Sequence, residues 1–144
     1  MYLGEVTIGG VLNFKFTTRA FATGVPTTLS GSPALCVYKS NSTSEETTGV
    51  TLTVDFDSKT GLNHVKIDTS ADATFYATAS DFEVVITAGT VGGTSVVGEV
   101  VGHFSILHRT TNGNVTASDG TSYVVQGEWS NTQNACVTGP AGSN

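Results

Sequence analysis

Apolar and polar residues alternate with a period of two along most of this chain, the spacing that sends every second side chain into a core and the others into water. Leu12, Phe14 and Phe16 alternate with Asn13, Lys15 and Thr17, which predicts a strand with one buried face. Thr23–Pro26 and Ser30–Pro33 read as turns, because Gly and Pro supply the dihedrals turns need, and Ala34–Lys39 follows as a second strand. The polar stretch from Asn41 to Thr48 reads as an exposed connection. Val50, Leu52, Val54 and Phe56 alternate with Thr51, Thr53 and Asp55 in the most regular strand pattern of the chain. Asp57–Gly61 then fits a short hairpin connection with Gly61 left-handed, and Val65 and Ile67 resume the alternation on an antiparallel partner.

The pattern breaks between Thr69 and Asp81 around Phe75 and Tyr76, two aromatics expected to plug one end of the core. Phe82, Val84 and Ile86 begin another strand, and Gly89–Thr94 reads as a glycine-rich turn. Ser95–Leu107 is the longest β-like run. Its Val96, Val100, Phe104 and Ile106 share one face and Val97, Val101 and Leu107 the other, which implies cover on both sides. Arg109–Gly120 turns polar, Ser122–Trp129 reads as a last strand, and Thr138–Asn144 as a flexible tail. About seven short strands separated by turns predict an all-β fold. The expected form is an immunoglobulin-like two-sheet antiparallel sandwich over residues 1–107 with a C-terminal β extension over 108–144; a small β-barrel is the alternative.

Composition narrows what such a fold can do. Charged residues are only 12% of the 144, and the net charge is −6. Nucleic-acid binding rests on clustered Lys and Arg displacing counterions, so DNA and RNA are not expected partners. No apolar run is long enough to span a bilayer, and the first residues lack the basic start and apolar stretch of a signal peptide. The expected location is therefore the cytoplasm, unless the protein leaves inside a larger particle. Cys36 and Cys136 are the only cysteines. In a reducing compartment free thiols are the expectation for them, with a bridge as the alternative.

No arrangement in the sequence carries catalysis, so an enzyme is not expected. There is no GxSxG elbow to activate a serine. His64 falls on the outward face of its strand, and His103 and His108, an odd number apart, would face opposite sides of one strand and share no metal. Asp55-Phe56-Asp57-Ser58-Lys59-Thr60-Gly61 resembles half a calcium loop. It has Lys59 where a ligand belongs, and its glycine comes one position late, so a plain hairpin turn is expected. Asp55, Asp68, Asp81 and Glu99 offer carboxylate pairs, but nothing specifies their separation. Gly89–Gly93 lacks the lysine and helix of a phosphate loop. No cofactor or metal is expected. Tyr123 and Trp129 are the candidate partner-binding residues, able to stack on a sugar or anchor a protein, with packing of the last strand as the alternative.

The succession Leu12–Thr18, Val25–Ser30, Ala34–Lys39, Val50–Phe56, Gly61–Asp68, Phe82–Ile86 and Val100–Ile106 resembles small bacteriophage virion proteins. It is similar to the immunoglobulin-like N-terminal domain of phage baseplate upper proteins, over about residues 3–107. The resemblance lies in strand patterns and turns, and residues 108–144 fall outside it. It implies a structural role in a virion assembled in the host cytoplasm. The first expectation is a capsid decoration or cement protein that contacts the major capsid protein and forms homo-oligomers such as trimers. A tail, neck or baseplate component contacting tail proteins is the alternative, and a carbohydrate-binding module using Tyr123 and Trp129 is the second.

Overall fold

A computed structural model describes residues 1–77 and 80–106, together with the backbone of two strands farther on, 114–116 and 122–124. Contacts divide the chain into two compact units, Met1–His108 and Arg109–Asn144. The second contains an antiparallel pair, β10 (Asn114–Thr116) and β11 (Ser122–Val124).

The first unit is a β-sandwich. One sheet holds β1 (Tyr2–Val6), β9 (Val100–Ile106), β7 (Asp81–Val91), β3 (Leu29–Lys39) and β4 (Glu45–Glu46) in that order, with β8 (Thr94–Ser95) added beside β7. The facing sheet holds β2 (Val11–Thr17), β6 (Leu62–Asp68) and β5 (Val50–Thr53). Sequence neighbours β2 and β3 lie in different sheets, as do β6 and β7, which is the crossing pattern of an immunoglobulin-like sandwich. One pairing departs from the all-antiparallel expectation: β1 runs parallel to β9. No sequence pattern announced β1, because Gly4 at φ 99° interrupts its alternation and its register shifts between Tyr2 and Glu5.

Between the sheets lie Phe14, Leu29, Leu35, Val37, Val65, Ile67, Val84, Ile86 and Ile106, all buried. Tyr76, Phe82 and Phe104 join them as an aromatic stack, with ring centroids 5.4 Å apart for Tyr76–Phe82 and 5.2 Å for Phe82–Phe104. Phe75 meets Tyr76 edge-on at 5.0 Å, the arrangement that ring quadrupoles favour. The break between Thr69 and Asp81 therefore drops Tyr76 into the core and packs the half-buried Phe75 against it.

Three local expectations are corrected. Ser30–Pro33 is no turn between strands but an irregular stretch inside β3, where Gly31 and Ser32 take φ of 76° and 53° and the register against β7 slips. The Gly89–Thr94 turn is shorter than expected, since β7 continues to Val91 and reverses over Gly92-Gly93. Ser95–Leu107 is likewise not one strand: left-handed Gly98 (φ 92°) turns the chain before β9 begins. A bulge at the start of β9, where Val85 faces Val100 but Val84 faces Gly102, exchanges the faces of its first two residues. Val100 is exposed and Val101 packs against the core, whereas Val96, Phe104 and Ile106 are buried as expected.

Candidate docking surface at one end of the sandwich

The connection from β2 to β3 is a tight hairpin. Arg19 bridges Pro26, the Ala20 amide donates to the Val25 carbonyl at 2.9 Å, and the Gly24 amide donates to the Ala20 carbonyl at 2.8 Å. Arg19 closes it further, its guanidinium donating to the Gly24 carbonyl at 3.0 Å. With the backbone groups occupied this way, two large apolar side chains of the turn stand in solvent. Phe21 is 64% exposed and Val25 58%.

A buried polar cluster sews the base of this hairpin to the turn between β5 and β6. Thr18 donates its hydroxyl to the Thr27 carbonyl at 2.6 Å and its amide to the Gly61 carbonyl at 2.8 Å. The Asn63 amide donates to the Thr18 hydroxyl oxygen at 3.1 Å and to the Gly61 carbonyl at 3.3 Å. Asp55 completes the clamp: one carboxylate oxygen accepts the Gly61 amide at 2.6 Å, the other the Thr28 hydroxyl at 2.7 Å. Thr18 and Asn63 are buried, and polar groups removed from water cost stability unless they are paired; the Thr18 hydroxyl and the Asn63 amide nitrogen are paired in this way, whereas the Asn63 Oδ1 finds no partner among the described residues. Gly61 sits at φ 76° with neighbouring backbone packed so closely that a Cβ would lie 2.6 Å from the Thr18 carbonyl oxygen. The exposed tip therefore projects from a stiff base.

In comparisons with protein-family models, curated proteins and solved structures, nothing matches this chain.

The other candidate residues separate. Asp55 spends both carboxylate oxygens on the clamp, so the half calcium loop is a hairpin turn in which Asp55, Asp57 and Ser58 are left-handed as well as Gly61. Among the described residues no group of three His, Cys, Asp or Glu side chains gathers to hold a metal. His64 lies against the Phe56 ring at 4.9 Å, and the Lys15 ammonium sits 4.9 Å from the centre of the same ring. Phe56 thus belongs to a one-turn 3-10 segment after β5 (Phe56–Ser58), not to the strand alternation expected of it. His103 packs against Tyr2 at 5.0 Å, at the far sheet from His64. His108, Trp129 and Cys136 lie outside the described residues, and Tyr123 is described only as a backbone position in β11. Cys36 is a free, buried thiol. Burial pushes its pKa up, the Glu45 charge adds to the shift, and a Tyr38 hydrogen bond opposes it.

At the opposite end of the sandwich an open cleft of about 360 Å³ is lined by Lys39, Ser42, Ser44, Asp72, Thr74 and Phe75. The Asp72 carboxylate there accepts the Thr74 and Phe75 amides, both at 2.9 Å, which commits it to holding its own turn. The signal for the hairpin was present in the sequence as Phe21 and Val25 flanking a glycine turn, but strand alternation could not say that both side chains stay outside.

Proposed function

We propose that this chain is a structural protein that acts by docking on other proteins, with the Arg19–Pro26 hairpin as a principal contact. The observation that carries the proposal is the exposure of Phe21 and Val25 on a turn held by the buried Thr18 and Asn63 and the half-buried Asp55. Apolar anchors supply most of the energy of protein interfaces, and a pre-ordered loop loses little entropy on binding. The strand-pattern resemblance over Leu12–Ile106 supports a setting in a bacteriophage particle. A capsid decoration or cement protein seated on the major capsid protein comes first, a tail, neck or baseplate component second.

Quantitative mass spectrometry of purified particles tests the setting. Hundreds of copies per particle are expected, and a handful would move the protein to the tail or baseplate. Rebinding of Phe21→Ser protein to particles stripped of the native chain tests the hairpin. At least a tenfold loss of occupancy is expected, with an unchanged circular dichroism spectrum; full occupancy would overturn the hairpin as the contact.

A further inference from the structure

Among the described residues the two strand orders end in four outer edges, and three of them are blunted; beside them, β8 is only two residues long, and the stretch of β3 that β4 leaves uncovered is broken by left-handed Gly31 and Ser32 ahead of Pro33. β4 is two residues long, β5 is four and runs straight into left-handed Asp55, and β1 is broken by left-handed Gly4 and a register shift. Devices of this kind stop an edge from recruiting another strand. The fourth edge, β2, has none of them. It runs seven residues in unbroken register against β6, from Val11 opposite Asp68 to Thr17 opposite Leu62, with no proline, glycine or bulge. Among the described residues no strand pairs with its other side.

The bonding parity of this edge follows from the ladder ends. The Thr69 amide donates to the Gly10 carbonyl at 3.1 Å and the Thr18 amide to the Gly61 carbonyl at 2.8 Å, so even-numbered residues of β2 bond toward β6. The odd-numbered residues Val11, Asn13, Lys15 and Thr17 direct their amides and carbonyls away from it. Leu12 and Phe16 are only half-buried, and Val11 at the start of the strand and Ile8 in the turn before it are exposed.

We propose that β2 pairs antiparallel with β2 of a second copy about a two-fold axis at Phe14, joining the two three-stranded sheets into one. In this register Asn13 bonds Lys15 of the second copy and Val11 bonds Thr17, so all four outward-bonding residues find a partner of the right parity. On the inner face Leu12 meets Phe16 of the second copy, and Phe14 meets its own counterpart. The register is also selected by charge. Sliding the strands by one step in one direction sets Lys15 against Lys15, and sliding them in the other wastes bonds at the strand ends, while centring on Phe14 sets each Lys15 against an Asn13. Lys15 and Lys66 of both copies then share one outer face, with the His64 imidazole and the Asp68 carboxylate beside them on β6. Added salt, by screening these cations, strengthens the pair.

The contact is distinct from the hairpin. Phe21→Ser protein is expected to dimerise normally, so the two proposals fail separately. Sedimentation equilibrium on the full chain tests it. The native protein is expected to show a concentration-dependent dimer whose dissociation constant falls as salt is raised from 50 to 300 mM, and Asn13→Pro is expected to raise that constant at least tenfold. Proline at position 13 removes an outward amide and leaves the bonds to β6 intact. Should that variant misfold, Asn13→Cys/Lys15→Cys protein gives an independent measurement, since directly opposed residues lie within disulfide reach. A dimer linked 13-to-15 between copies on oxidation supports the register. A native chain monomeric at millimolar concentration, or a dimer untouched by Asn13→Pro and not captured by the cysteines, overturns it.

Discussion

Replacing Gly61 by alanine should be among the most damaging single-methyl additions this fold can receive, and Gly92→Ala is its control. Both glycines are left-handed, at φ 76° and 57°. For an L-residue that conformation costs roughly 1–2 kcal/mol, and at Gly92 this is the whole cost, because nothing lies within 4 Å of the added carbon. At Gly61 the new Cβ would lie 2.6 Å from the Thr18 carbonyl oxygen and 2.7 Å from the Thr27 amide nitrogen. Ordinary contact is roughly 3.5 Å, so backbone must move. The movement strains the 2.8 Å bond from Thr18 to Gly61 and the 2.9 Å bond from Thr27 to Thr18. At about 1 kcal/mol for each bond weakened, Gly61→Ala should cost about 3–4 kcal/mol in all, some 2 kcal/mol more than the control. Urea denaturation followed by far-ultraviolet circular dichroism reads the difference as a lowered midpoint at unchanged slope. In a domain of this size it corresponds to a melting temperature lower by about 10 °C than that of Gly92→Ala. Equal destabilisation by the two substitutions would refute the idea that the hairpin base is a close-packed clamp.

Acid should expose the role of Asp72. Its carboxyl is held below the ordinary aspartate range chiefly by the Phe75 amide, with smaller contributions from the Thr74 amide and a Glu46 hydrogen bond, against a partial loss of solvation. A group whose folded pKa is depressed stabilises above its unfolded pKa, and the contribution disappears as pH falls through the folded value. Asp72→Asn is therefore expected to melt lower than the native protein at pH 7 and level with it at roughly pH 2; a gap that persists in acid would show that charge is not the cause. Cys36, buried and with its pKa raised chiefly by that burial, should resist a thiol reagent in Cys136→Ser protein until denaturant is added. Rapid labelling of the native chain would contradict its place in the sheet.

Much of the sandwich was legible in the order of residues, because a period-two pattern has one physical meaning wherever one face of a sheet is buried. Phe14, Val65, Ile67, Phe82, Val84 and Ile86 sit in the core for that reason, and Gly61 was recognisable as left-handed because the turn after β5 needed a residue without a Cβ. Local pattern failed where tertiary contacts chose among local options. β1 follows no alternation and is a strand because β9 offers it a parallel partner. Val100 and Val101 exchange faces because a bulge opposite Val84 and Val85 inserts one extra residue into β9 there. Asp55 was expected in a plain hairpin turn, and only the fold revealed that Thr28 and Gly61, far apart in sequence, take both of its oxygens. Which side chains alternate is a property of the chain read in order. Which edge stays open, and which apolar residues stay outside, depends on strands meeting across long sequence separations, and no local pattern encodes that.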